Sequence, residues 1–170
     1  GWSTTHSKAA TCRERVVPFL KPDFAEAFHT LIRTYAGIID LSIAGHIHTD
    51  DYRLVFDAAG NPVAAGKVAP AISPVFGQNP AFQVFTYDRT NGLPRDFTTI
   101  ALANLPSLSP ADADWREEYA FSEAYGLPDY STGSVTKLWN GLGQGGRIRD
   151  AYLANYNAGH GPLPDGDLDG

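Results

Sequence analysis

The sequence predicts a mixed α/β (α+β) fold in which one long helix precedes a run of strands and shorter helices follow. Apolar residues recur at helical spacing in the segment 21–37. Between 38 and 106, short apolar runs alternate with Gly, Pro and Asn turn signals, a pattern typical of strands. Of the 170 residues, 43% are hydrophobic and 12% aromatic, so the chain can bury a real core.

The first helix is predicted by five apolar residues that share one face: Phe24, Phe28, Leu31, Ile32 and Tyr35. Pro22 suits the first helical turn, and Gly37 is placed to end the helix. His29 lies off the apolar face, and we expect it to face solvent.

The strand region begins with the apolar, β-branched run 38–44, which ends at a glycine and predicts a buried strand. The strings AAGNP and RTNGLP are turn signals, and the Asn-Gly pair in the second predicts a hairpin. The remaining strands are expected at 52–57, 67–75, 81–88 and 95–105.

The character of the chain changes after Pro106, where SPADADWREEYAFSEAYG predicts a helix with Ser109 as N-cap and Pro110 in the first turn. Two shorter helices are expected at 134–142 and 147–156. The predicted division of the chain is therefore 1–106, a helical subdomain at 107–158 and a flexible tail at 159–170.

Composition argues against several classes of function. The net charge is −6 and no run of Lys and Arg is present, so nucleic-acid binding is not expected. No apolar stretch is long enough to span a bilayer, and the charged first twenty residues do not match a signal peptide. The single cysteine, Cys12, excludes an internal disulfide, which leaves cytosolic and disulfide-poor secreted compartments both open.

Two histidines one residue apart, His46 and His48, follow the first predicted strand directly after Gly45. Alternate strand residues share a face, so the imidazoles would lie about 6.5 Å apart along it. The metal ions of a hydrolytic pair lie about 3.5–4 Å apart, so each imidazole could reach its own metal. Two ordinary loop histidines bonded to backbone or water are an equally good interpretation of so short a string.

Three longer strings carry a more specific comparison: IAGHIHTDDYRLVFD, VAPAISPVFGQNPAFQVFTYD and WREEYAFSEAYGLPDYS. In order and spacing, from about Val17 to Tyr156, they resemble the sphingomyelinase-like phosphodiesterase branch of calcineurin-like metallophosphoesterases, the group of acid sphingomyelinase. The resemblance implies the C-terminal part of that family's α-β-β-α sandwich, followed by a small helical subdomain. It also implies hydrolysis of phosphate esters, such as a sphingomyelin-like phosphodiester, by attack of metal-bound hydroxide.

The resemblance assigns His46 and His48 as ligands to two different divalent ions, commonly zinc, with iron or manganese as alternatives. The family's D-x-H, G-D-x-x-D and G-N-H-[DE] ligand motifs do not occur in this sequence. Its leaving-group histidine is also missing, so no catalytic residue is assigned. We therefore expect a C-terminal portion that is inactive without the missing N-terminal half of the same domain.

Three further residues are candidates for substrate contact by the same resemblance. Asp50, just downstream of the histidines, is expected to orient a ligand histidine or contact substrate, unless it is a solvated loop acid. Asn79 and Phe82 lie in the string FGQNPAF, which matches a family loop near the active site. The alternatives are that Asn79 caps its own backbone in a turn and that Phe82 is a core residue.

Other features leave the function partly open. No motif gives His6 a role, and the tail string DGDLDG follows the start of a calcium loop, a pattern that short acidic tails produce by chance. A nucleotide or polyphosphate phosphohydrolase and a non-catalytic interaction domain are the alternative functions. The family implies a secreted, periplasmic or lysosome-like location.

Overall fold

The computed structural model describes residues 20–109 and 111–161, and the backbone of residues 3–5 and 16–18. Within these ranges the helices are α1 (Pro22–Tyr35), α2 (Phe121–Tyr125), α3 (Thr132–Gln144) and α4 (Arg147–Asn155), with a 3-10 turn at Leu105–Ser107. The strands are β1 (Ser3–Thr5), β2 (Val16–Pro18), β3 (Ser42–Ala44), β4 (Asp51–Phe56), β5 (Pro62–Val68), β6 (Ala81–Tyr87), β7 (Pro94–Leu102) and β8 (Trp115–Ala120). The predicted mixed α+β class is confirmed. None of the helices in these ranges combines the length and apolarity needed to cross a bilayer.

Strands β3 to β8 form two three-stranded sheets. The first has the order β3-β5-β4, in which β3 runs parallel to β5 and β4 pairs antiparallel with β5. The second is the antiparallel meander β6-β7-β8, and the predicted Asn-Gly turn connects its first two strands. Strands β1 and β2 form a separate antiparallel pair.

Strand boundaries differ from the predicted ones where backbone pairing, more than apolar composition, sets them. Strand β3 covers only the last three residues of the predicted run 38–44. The strand predicted at 67–75 lies earlier, at Pro62–Val68, because the turn at Gly60 (φ 85) pairs β5 with β4 immediately. Strands β6 and β7 occupy the predicted positions within a few residues.

The helix predicted to begin near Ser109 is wrong, because Trp115–Ala120 forms the edge strand β8 and only the short α2 after it is helical. Tyr119 on this strand is 7% exposed and packs into the core. Pairing with β7 and burial of this ring outweigh the high intrinsic helix propensity of Arg-Glu-Glu. The boundary at residue 106 stays a prediction, but the region after it supplies a strand as well as three helices.

Helix α1 packs through a face that is offset by one residue from its apolar stripe. Ala25 and Ile32 are buried and His29 is half-buried, so the expectation that His29 faces solvent is wrong. Burial is the main cause that lowers the pKa of His29. The rest of the predicted apolar face, here called the α1 stripe, is exposed: Phe24, Phe28, Leu31 and Tyr35.

The core is an aromatic cluster shared by both sheets and by the segment that follows β8. Its rings are those of Tyr52, Phe97, Tyr119, Phe121, Tyr125 and Tyr130. The Tyr130 ring meets Phe97 and Phe121 edge-on, with centroids 5.5 and 5.2 Å apart. Such pairs stabilise by about 0.5–1.5 kcal/mol each beyond their burial, so they bind the segment after β8 firmly to the sheets.

A buried ion pair joins the two sheets at the start of β4. Lys67 on β5 is fully buried and Asp50 is 2% exposed, and the two side chains form a salt bridge. The Lys67 ammonium also donates to two backbone carbonyls, at 3.2 and 2.9 Å. The second sheet donates to Asp50 Oδ2 from one residue on each strand: Gln83 (2.9 Å), Thr99 (3.2 Å) and Tyr119 (2.9 Å).

Desolvation opposes both charges of this pair. Burial raises the pKa of Asp50 and lowers the pKa of Lys67, because each charged form has lost its water. Their mutual attraction and the additional hydrogen bonds act in the opposite direction, favouring the charged forms. The pair is therefore tolerated because its polar atoms are satisfied on all sides.

Replacing Lys67 with Met should lower the free energy of unfolding by about 3–5 kcal/mol, because it leaves the Asp50 carboxylate buried without a countercharge. The double variant Asp50→Asn with Lys67→Met should cost less than the sum of the two single variants. Urea unfolding at pH 7 measures both effects. Arg95→Met removes the exposed partner of Asp88 and is a control that should leave the midpoint nearly unchanged. Strict additivity of the two core substitutions would contradict this account.

Replacing Phe24 and Leu31 together with Glu should reduce self-association of the chain, because both lie in the exposed α1 stripe, with 66% and 55% of their surface accessible. Sedimentation velocity over a concentration series measures the change. Tyr87→Glu is the matched control, since Tyr87 is 64% exposed at the far end of β6. An effect of Tyr87→Glu equal to that of the double variant would show that the α1 stripe has no special role.

Candidate functional site

The two histidines lie in the turn that directly follows β3. Both have a left-handed backbone, with φ of 83° at His46 and 61° at His48. The extended geometry assumed for their spacing is therefore wrong, although their position just after the strand end is confirmed. A positive φ at a non-glycine residue costs on the order of 1–3 kcal/mol, so the surrounding structure must hold this turn in place.

The two imidazoles of this turn differ in their exposure to solvent. His46 is exposed and His48 is half-buried. That both imidazoles face one common cavity stays a prediction.

The loop 73–80 lies against His48. The Phe76 ring centroid is 5.0 Å from that of the imidazole, and Gln78 Nε2 is 3.4 Å from His48 Nδ1. Gln78 is only 1% exposed, and its amide also donates to the Ser73 carbonyl at 2.5 Å. The string FGQNPAF is thus next to the histidines, as expected, and Gln78 limits how the His48 ring can rotate. The Gln78 amide nitrogen can only donate, so this bond forms in the tautomer that leaves His48 Nδ1 unprotonated.

Asn79 is held by a turn at the far end of the chain, residues 157–161, which we call the C-terminal turn. Its side-chain amide donates to the Ala158 carbonyl at 2.9 Å, and its backbone N–H to the Asn157 carbonyl at 3.3 Å. The alternative that Asn79 caps its own backbone is therefore wrong. Its contact with a substrate stays a prediction.

Phe82 is on β6, where it is 40% exposed and packs against Trp115 of β8 with ring centroids 5.6 Å apart. The alternative that it is a core residue is wrong, because the pair lies on an open face of the second sheet. A role for Phe82 in a substrate pocket stays a prediction.

Asp50 faces the interior, where the Lys67 salt bridge and the three donors of the second sheet occupy its carboxylate. The alternative that it is a solvated loop acid is wrong. Its backbone N–H donates to the Tyr156 carbonyl at 2.9 Å, so both its backbone and its side chain anchor the end of the histidine turn. Substrate contact by Asp50 stays a prediction, which its burial does not favour.

Sequence reasoning missed Gln78, Lys67 and the C-terminal turn. Gln78 was inside a matched string, but nothing local indicated that its amide would reach His48. Lys67 is the only charge in the strand PVAAGKV, and a lysine in so apolar a strand usually needs a buried partner. That signal predicts a buried carboxylate as the partner of Lys67.

The side chains of the histidine turn provide some of the ligands that a metal site needs, but not a complete set. Imidazole suits zinc, iron and manganese, so His46 and His48 are suitable ligands. Across the residues that the structure describes, no three His, Cys, Asp or Glu side chains cluster closely enough to hold an ion. His6 and the tail DGDLDG lie outside those residues. A complete centre would therefore require ligands beyond this described set.

Comparison with curated proteins finds relatives that are named as phosphodiesterases. Human acid sphingomyelinase-like phosphodiesterase 3b is 33% identical over 158 residues, which cover 83% of this chain and 34% of the relative. Rat cyclic GMP-AMP phosphodiesterase SMPDL3A is 29% identical over 132 residues, covering 71% of this chain and 28% of the relative. Sphingomyelinase phosphodiesterase D of Dictyostelium discoideum is 30% identical over 118 residues, which cover 63% of this chain and 25% of the relative.

No protein-family model matches the chain. The chain spans about a third of the length of the relatives it matches or less. Over most of its own length it is nevertheless a homologue of the acid sphingomyelinase-like phosphodiesterases, of which it matches a C-terminal portion.

Proposed function

We propose that this chain supplies the C-terminal part of a dinuclear-metal phosphodiesterase, in which His46 and His48 each bind one of two divalent ions, zinc being the preferred metal. Relatives at 27–33% identity carry phosphodiesterase activity in their names, which supports this class of reaction. The family resemblance likewise supports a location outside the cytosol.

The observation that carries the proposal is the backbone of the histidine turn. Two non-glycine residues with positive φ, His46 and His48, are held between the buried Asp50 anchor and the loop that contains Gln78. Strained backbone of this kind persists only where surrounding contacts enforce it, and it is concentrated at functional sites. The contacts that hold both histidines in this conformation favour a functional turn over an ordinary loop.

When bound, the two ions would supply an activated water and stabilise charge on the attacking and leaving oxygens of the phosphate ester. The contribution of this chain is to hold two imidazoles at a fixed strand end. Phe76 and Gln78 beside His48 restrict the orientation of its ring. Asn79 and Phe82 would form the nearby wall of the substrate pocket.

The remaining ligands are proposed to come from the part of the phosphodiesterase domain that the relatives have and this chain does not span. The exposed α1 stripe is the surface that this part would cover, because its four large apolar side chains are 37–66% exposed. The α1 packing face, offset by one residue, already contacts the first sheet.

A nucleotide phosphodiester is the second candidate substrate. The rat relative is named as a cyclic GMP-AMP phosphodiesterase, whereas the Dictyostelium relative is named as a sphingomyelinase. Fold alone does not decide between the two substrates. Assays of the complete enzyme with a cyclic dinucleotide and with sphingomyelin would separate them.

Zinc titration of the complete enzyme, in which the remaining ligands are present, should show binding that weakens on the order of tenfold or more in His46→Ala and in His48→Ala, because each removes an imidazole ligand. Isothermal titration calorimetry at pH 7.5 measures the affinities. His160→Ala is the control, since His160 is exposed on the C-terminal turn. Equal zinc affinity in all four proteins would overturn the assignment of the two histidines.

The 170-residue chain with added zinc should not hydrolyse bis(p-nitrophenyl) phosphate, because two imidazoles are too few ligands for two ions. Turnover by the chain that disappears in His46→Ala would show that the site needs fewer ligands than proposed. The upstream reading frame gives an independent test. D-x-H, G-D-x-x-D and G-N-H-[DE] motifs there would support the enzyme, and their absence would favour a non-catalytic interaction domain.

A further inference from the structure

Glu118 is a half-buried residue whose carboxyl group has no task in the proposed function. It is the extra residue of a β-bulge in β8, since Thr99 pairs with Tyr119 and Ile100 pairs with Glu117. Both of its carboxyl oxygens are buried, and within the described part of the chain neither has a hydrogen-bond partner. A buried carboxylate without a partner is costly, so this position favours the neutral acid.

The C-terminal turn covers this carboxyl group. A Cβ atom added to Gly159 would lie 3.4 Å from Glu118 Oε1 and 3.6 Å from Glu118 Cδ, so the turn and the acid are packed against each other. Gly159 (φ 70) and the buried Ala158 (φ 52) both have a left-handed backbone. Glycine at this point permits the tight bend and the close approach together.

The same turn holds the loop that contacts His48. The Ala158 and Asn157 carbonyls accept hydrogen bonds from Asn79, and the neighbouring Gln78 lies beside the imidazole. The contacts therefore run without a gap from Glu118 through the C-terminal turn and the loop 73–80 to the histidine turn.

We propose that Glu118 is a positioning residue: as the neutral acid it seats the C-terminal turn on β8, and its ionisation loosens that turn and the loop that supports His48. The link to metal binding rests on the proposed function, whereas the link to the two loops rests on their contacts alone. Glu118 itself contacts neither substrate nor metal in this scheme.

The charges around Glu118 agree with this role. Burial is the main cause that raises its pKa to about 8; the Asp50 charge acts in the same direction and Lys67 opposes it. From α2, the phenol of Tyr125 also interacts with this carboxyl, and burial raises its pKa, so it stays neutral in the range of interest. On the C-terminal turn the titratable neighbour is the exposed His160.

Because the pKa of Glu118 is raised in the folded protein, this group makes the folded state less stable as the pH rises. The folded protein holds this proton up to about pH 8, whereas the unfolded chain releases it near the ordinary glutamate pKa of 4.5. The stabilising effect of the neutral acid is therefore fully present below about pH 4.5 and is lost progressively as the pH rises to about 8.

Hydrogen exchange of the full chain, measured by mass spectrometry from pH 6 to pH 9 and corrected for intrinsic rates, tests the proposal. Exchange in peptides covering 73–82 and 156–161 should rise with pH by on the order of tenfold or more in the wild type, since one unit of pKa difference is tenfold in equilibrium. In Glu118→Gln the rise should be absent, because the amide cannot ionise.

Glu117→Gln is the matched control: it lies one residue away and is exposed, and it should behave as the wild type. His160→Gln should also keep the pH response, which separates Glu118 from the neighbouring imidazole. Glu118→Leu gives a second neutral side chain if the amide disturbs folding. Parallel pH responses in the wild type and both Glu118 variants would overturn the proposal. A lost response in these variants with unchanged zinc binding would support it and weaken only the link to the metal site.

Discussion

The buried pair of Asp50 and Lys67 is the interaction on which the arrangement of this chain depends. Two charges removed from water cost several kcal/mol each unless partners surround them. Here the lysine comes from the central strand of the first sheet, and the carboxylate accepts one hydrogen bond from each strand of the second. One side chain thus fixes the relation between the sheets. Since Asp50 follows His48 by two residues, it also fixes where the histidine turn enters the core.

Local signals predicted the fold well wherever the structure is local. The helix at Pro22–Tyr35 and the hairpin of β6 and β7 follow from spacing, proline and an Asn-Gly turn, all of which act within a few residues. Strand β8 was not predictable in this way, because its pairing with β7 and the burial of Tyr119 are long-range effects. The face on which α1 packs was missed for a similar reason. Apolar spacing identifies a stripe on the helix. It does not show whether residues of this chain pack against that stripe.

In the candidate site, too, local features were predictable from the sequence and long-range contacts were not. The string around His46 and His48 located the turn, and FGQNPAF located the loop beside it, because both are contiguous in sequence. The partners of these residues could not be predicted, since each comes from a distant segment: Lys67 for Asp50, and Ala158 for Asn79. Asp50 shows the difference best. Its position just after the histidines suggested a role at the surface. The donors that surround it from both sheets instead hold its carboxylate in the core.

The region after residue 106 makes contacts that hold the candidate site in place, more than it forms a separate helical unit. The Tyr156 carbonyl at the end of α4 binds the Asp50 backbone, and the C-terminal turn binds Asn79. A turn with positive φ at His46 and His48 stores free energy that local contacts in a three-residue strand cannot offset. The restraint must come from elsewhere, and the aromatic core that binds β8 and the helices to the sheets supplies a rigid base for it. Residues 156–158 therefore help to fix the geometry of a turn that precedes them in sequence by about a hundred residues.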